Sequence, residues 1–155
     1  MNWIIQQSTK LGFHTDLKEL LKPILEEIQS LNWLISDFEF ISDRELTINH
    51  SKDFFVLSSA EFKEIINSKT QFIWGVISGF QDIKEIVIDE NDLPFSEGND
   101  LIWEDGNFQI PNSIVEIIAF DSSYSIIKFQ DKNLSDIFKK YFNEAIELKE
   151  FNSLK

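Results

Sequence analysis

The chain has 155 residues, 43% of them apolar, including 15 Phe and 4 Trp, no Cys, and a formal net charge of −13 at pH 7. That length suits one domain with its own core, the many large apolar side chains argue against disorder, and the lack of Cys excludes disulfides and thiol chemistry. The charge is unevenly placed, because residues 85–127 hold ten carboxylates and no Lys, Arg or His. A single-sign field of this kind repels nucleic acid and anionic membrane and attracts a cationic partner.

The N-terminal run Met1-Asn2-Trp3-Ile4-Ile5-Gln6-Gln7 lacks the basic start and long apolar run of a signal peptide. No apolar run reaches the roughly 18 residues of a membrane helix. The cytoplasm is therefore the expected location. Asp16 is placed to cap a first helix, with Glu19 at the third position. Leu17, Leu20, Leu21, Ile24, Leu25 and Ile28 then form one apolar stripe. Pro23 sits off that stripe and predicts a kink. Strands are expected over 33–41 and 54–57. Ser58 and Glu61 form a capping box for a second helix, with Leu57 stapled on Phe62 and with Phe62, Ile65 and Ile66 facing inward.

Residues 72–80 and 114–120 are apolar on both parities and read as central strands covered on both faces. Between them, Asp105-Gly106 separates Leu101-Ile102-Trp103-Glu104 from Asn107-Phe108-Gln109-Ile110, which predicts a type I′ hairpin. In that register Trp103 faces Phe108 and Leu101 faces Ile110, while Ile102, Glu104, Asn107 and Gln109 take the other side. Asp121-Ser122-Ser123 reads as a turn into a strand over 124–129. Asn133 with Asp136 begins a last helix, whose stripe is Leu134, Ile137, Phe138, Tyr141, Phe142 and Ala145. The order of elements implies a single α+β domain over 1–155, a mainly antiparallel sheet with about three helices packed on it.

Catalytic chemistry finds little support. The two histidines, His14 and His50, sit in polar segments beside turn and cap residues, where local hydrogen bonding is the ordinary role. Gly75-Val76-Ile77-Ser78-Gly79 has two residues where a nucleophile elbow needs one. Asp89-Glu90-Asn91-Asp92-Leu93-Pro94 puts Leu and Pro where an EF-hand needs a ligand and Gly. A looser calcium site on Asp89, Asp92 and Glu97 is the one metal option left. There is no P-loop, dinucleotide fingerprint or HExxH motif. Neither an enzyme nor a cofactor is expected.

The acidic stretch is either a solvated face or an interface. Its acids accompany Leu93, Phe95, Ile102, Trp103 and Phe108, and interfaces combine aromatic anchors with a charged rim. Solubility alone is usually met by mixed-sign surfaces. The candidate partner-binding residues are Asp89, Glu90, Asp92, Phe95, Glu97, Asp100, Trp103, Glu104 and Asp105, with Trp103, Glu104 and Asp105 foremost. The hairpin register competes for Trp103 by turning it inward onto Phe108.

In size, acidity, lack of cysteine and lack of a catalytic motif, the whole chain resembles the small acidic immunity proteins encoded beside bacterial polymorphic or contact-dependent toxins. Two stretches are similar to small bacterial α+β proteins. One runs from Phe54-Phe55-Val56-Leu57-Ser58 to Phe80; the other is Val115-Glu116-Ile117-Ile118-Ala119-Phe120-Asp121-Ser122-Ser123-Tyr124 with the C-terminal helix. The resemblance implies a non-enzymatic inhibitor that binds a cognate basic toxin, such as a nuclease, and blocks its active site or an adjacent surface. Two other readings stay open: an adaptor or structural domain whose acidity serves solubility, and a small hydrolase with a carboxylate pair.

Overall fold

The computed structural model describes residues 1–46, 48 and 52–154; His50 lies outside them. Seven strands carry the fold: β1 (Asn2–Ile5), β2 (Asn32–Ser42), β3 (Phe54–Leu57), β4 (Thr70–Phe80), β5 (Val115–Phe120), β6 (Tyr124–Phe129) and β7 (Ile146–Glu147). They form one sheet in the order β3-β2-β4-β5-β6-β1-β7, and every pair is antiparallel. Of the strands expected from the sequence, the five outside the Asp105-Gly106 hairpin are present; β1 and β7, too short to show a period, are added. The helices are α1 (Leu17–Leu21), α2 (Leu25–Ile28), α3 (Ser59–Ile66), α4 (Lys132–Tyr141) and α5 (Leu148–Ser153). No described helix is long and apolar enough to cross a membrane.

Strand alternation sends successive side chains to opposite faces, so the core has two unequal parts. On the first face Ile35, Ile77, Ile117 and Ile127 pack with the apolar stripes of α1 to α4, among them Leu20, Phe62 and Phe138. On the second face a smaller cluster joins Ile4, Ile118 and Ile126 to Ile102 and Leu148. At Gly79 a Cβ would lie 3.0 Å from the Trp33 ring and from Val115, so a side chain here would have to push one of them aside by a few tenths of an ångström.

Local signals met different fates. Ser58 and Glu61 exchange both bonds of the capping box at α3. Pro23 lies in a 3₁₀ turn, Lys22–Ile24, that separates α1 from α2. Phe120 pairs with Tyr124 across the expected turn, whose Asp121 and Ser122 hold φ of 50° and 52°. Asp16 precedes α1 but makes no cap bond there; its carboxylate instead accepts from the Gly12 N–H at 3.1 Å. The last helix starts earlier than expected, with Asp131 rather than Asn133 as cap, accepting from the Leu134 N–H at 2.9 Å.

The hairpin around Asp105-Gly106 does not form. Gly106 does turn, with φ of +79°, but Asp100–Trp103 coil into a 3₁₀ turn instead of a strand. Burial decides it: the 3₁₀ turn delivers Ile102, wholly buried, into the second-face cluster. Trp103 packs inward on Phe120, Tyr124 and Phe151, with ring centroids at 5.0, 5.7 and 6.1 Å, rather than on Phe108.

Candidate protein-binding surface

The 34 residues between β4 and β5 span 81–114 and lie over the second face, so most of the acidic stretch forms a cover on the sheet. At one end β2 holds it. Asp37, with φ of 50°, sits where the register between β2 and β4 shifts. Its carboxylate accepts from the Ser96 N–H (2.7 Å), the Ser96 hydroxyl (3.0 Å) and the Glu97 N–H (3.2 Å). Beside it the Ser36 hydroxyl donates to the Pro94 carbonyl at 2.7 Å.

At the other end the anchor is a row of buried polar side chains. Ser78, Glu116, Lys128 and Asn2 are successive cross-strand neighbours on β4, β5, β6 and β1, and all are buried. Lys128 Nζ lies 3.9 Å from Glu116 Oε1 with both side chains wholly enclosed. Lys128 also donates to the carbonyls of Asn107 (2.8 Å) and Leu101 (3.4 Å). The Gln109 N–H donates to Glu116 Oε2, and Asn2 Nδ2 donates to Asp105, each at 2.9 Å. Burial pushes the Glu116 carboxyl above its ordinary range, with Lys128 and the Gln109 N–H pulling the other way. Burial likewise lowers Lys128, against the attraction of Glu116, Asp105 and Glu104.

Outward, the cover presents what the sequence placed there. Asp89, Glu90, Asp92, Phe95, Glu97, Asp100, Glu104 and Asp105 are exposed, and only Trp103 is half-buried. Four large apolar side chains of the same connection are exposed with them: Ile83, Val87, Phe95 and Leu101. Three candidates come together, since Asp89, Asp92 and Phe95 line one cleft of about 530 Å³. Leu101, Phe108 and Ile110, expected on one side of a hairpin, line that cleft too. Trp103, Glu104 and Asp105 sit apart, near the Asn2 and Lys128 anchor and Phe151.

Among the described residues, no three His, Cys, Asp or Glu side chains gather in a way that could hold a metal ion. His14 Nε2 lies 2.6 Å from the Gln6 carbonyl, a local hydrogen bond. The Glu116–Lys128 pair escaped the sequence reading, although its signal was present. A turn at Asp121-Ser122-Ser123 that sets Phe120 opposite Tyr124 also sets Glu116 opposite Lys128. Compared with known protein families, curated proteins and solved structures, the chain matches none of them.

Proposed function

We propose that this protein is a non-enzymatic inhibitor of the immunity type, which binds a basic protein toxin in the cytoplasm through the acidic cover between β4 and β5. The observation that carries the reading is the surface itself. Seven exposed carboxylates, Asp89, Glu90, Asp92, Glu97, Asp100, Glu104 and Asp105, are interleaved with exposed Val87, Phe95 and Leu101 on a segment that Asp37 holds at 96–97 and Lys128 at 101 and 107. Carboxylates facing the phosphate-binding Lys and Arg residues of a nuclease mimic its substrate's charge and speed encounter. Exposed aromatic and aliphatic side chains supply slow dissociation.

The test is a pull-down with the tagged protein from lysate of its own organism, together with the products of adjacent genes, washed at low and then high salt. The expected result is one basic protein held near stoichiometry, whose affinity and salt dependence both fall when Asp100, Glu104 and Asp105 are replaced by Lys. Retention of no basic protein at either salt would return the acidity to a solubilising role.

A further inference from the structure

The cleft within the cover has a composition that selects its occupant. Its wall carries Asp89, Asp92 and Glu85, its lining contains no Lys or Arg, and Phe95 and Phe108 offer aromatic surface beside the acids. Phe95 is 44% exposed, so its ring is open to a ligand rather than used by the core. The volume of about 530 Å³ falls within the roughly 300–1,000 Å³ of small-ligand pockets, which leaves room for an arginine together with the residue beside it. Asp89 and Glu85 each accept one local backbone N–H, so a purely apolar plug would desolvate carboxylates whose charge those single bonds leave uncompensated. A lysine would satisfy their charge, but its compact and strongly hydrated ammonium gains less from aromatic surface than a guanidinium does. An arginine suits both walls: its plane stacks on a ring while its fork of N–H groups donates to carboxylates.

We infer that the cleft bounded by Asp89, Asp92, Phe95 and Phe108 seats an arginine side chain, presented next to an apolar residue by a cationic protein partner. The inference rests on the inhibitor reading for the identity of that partner, and names the group the partner inserts. The cleft is set over a fixed frame. Leu34 of β2 lines it from the sheet, Asp37 and Ser36 hold the backbone at 94–97, and the Gln109 side chain donates to the Phe95 carbonyl while its carbonyl accepts from the Phe95 N–H. The aromatic side of the site is thereby pre-organised, which limits the ordering entropy lost on binding.

The test needs no toxin. The full chain, labelled with ¹⁵N, is titrated with four blocked tripeptides, Arg-Trp-Arg, Lys-Trp-Lys, Glu-Trp-Glu and Arg-Gly-Arg, while amide shifts are followed. Arg-Trp-Arg is expected to move the amides of 87–95 and 107–110, to bind about threefold or more tighter than Lys-Trp-Lys, and to weaken with salt. The double variant Asp89→Asn, Asp92→Asn should weaken it roughly tenfold. Those exposed, isosteric changes leave the core untouched, and Phe95→Ala should remove most of the remaining affinity. Equal binding of Glu-Trp-Glu, shifts confined to other surfaces, or no shift with any peptide would overturn the proposal. A basic protein captured from lysate with unaltered affinity for the cleft variants would leave the inhibitor reading standing and sink the arginine seat. Peptide binding at the cleft without a captured toxin would do the reverse.

Discussion

Lys128 and Glu116 are the residues on which the cover's position depends, and their electrostatics are costly. A buried ion pair at 3.9 Å recovers its desolvation only through further bonds. Lys128 finds two carbonyls, whereas Glu116 Oε1 accepts no hydrogen bond among the described residues. Lys128→Met should therefore destabilise the protein by about 3–5 kcal/mol in urea unfolding, because it strands a buried carboxylate. Adding Glu116→Gln, which keeps an acceptor for the Gln109 N–H, should recover a large part of that loss. If the double variant were as unstable as the sum of the singles, the pair would not be coupled. The pH dependence has a definite sign. Burial holds the folded Glu116 pKa above its unfolded value, and losing Lys128 raises it further. A raised folded pKa gives stability that is present below the unfolded value and lost as pH rises through the folded one. Lys128→Met should therefore gain stability, relative to the double variant, as pH is lowered from neutrality toward the ordinary carboxylate range. A flat difference between the two would place Glu116 in contact with solvent.

At the scale of elements, local signals were legible but not infallible, since Asp16 gives its carboxylate to the Gly12 N–H instead of capping α1. The capping box at Ser58, the Pro23 break and the Asp121 turn are each decided within a few residues, and each formed. Ser58→Ala should accordingly lose about 1 kcal/mol of stability, measured by the same unfolding assay. Asp105-Gly106 is an equally local signal, but its flanks were claimed from a distance. Ile102 is drawn onto Ile4, Ile118 and Ile126, and the carbonyls of Leu101 and Asn107 are claimed by Lys128. Such partners, up to about a hundred residues away in the chain, leave no period in the segment they capture. The site shows the same division. Which side chains face outward could be read from composition and charge, but the cleft depends on Asp37, whose left-handed backbone at a register shift has no sequence mark beyond being Asp. Asp37→Ala should speed hydrogen exchange at the Ser96 and Glu97 amides and cost about 2 kcal/mol. Asp37→Gly should speed exchange equally but lose less stability, because glycine accepts the positive φ. Unchanged exchange in both variants would mean that the segment is held by Ser36 and the cleft residues alone.

For the whole molecule, charge and shape are separated across the sheet. None of the 14 Lys and Arg residues lies within 85–127, and Lys128, which closes that stretch, is buried beneath the cover. The helices α1 to α4 occupy the first face and the acidic cover the second, so the protein presents an acidic pole to anything that approaches that side. A pole of this kind acts at the range of the Debye length, about 8–10 Å in physiological salt, and so influences the encounter before any side chain touches. Contacts made after encounter are short-ranged and act on the lifetime of the complex. The two kinds of residue should therefore separate kinetically against a captured basic partner. Replacing Asp100 and Glu104 by Lys should lower kon by about tenfold at low salt and flatten its salt dependence, with koff changed only about twofold. Phe95→Ala should leave kon within about twofold and raise koff by tenfold or more. Surface plasmon resonance across a salt series reads both constants. A kon insensitive to the charge reversals would mean that the acidic pole does not steer, leaving binding to the short-range contacts of the cleft alone.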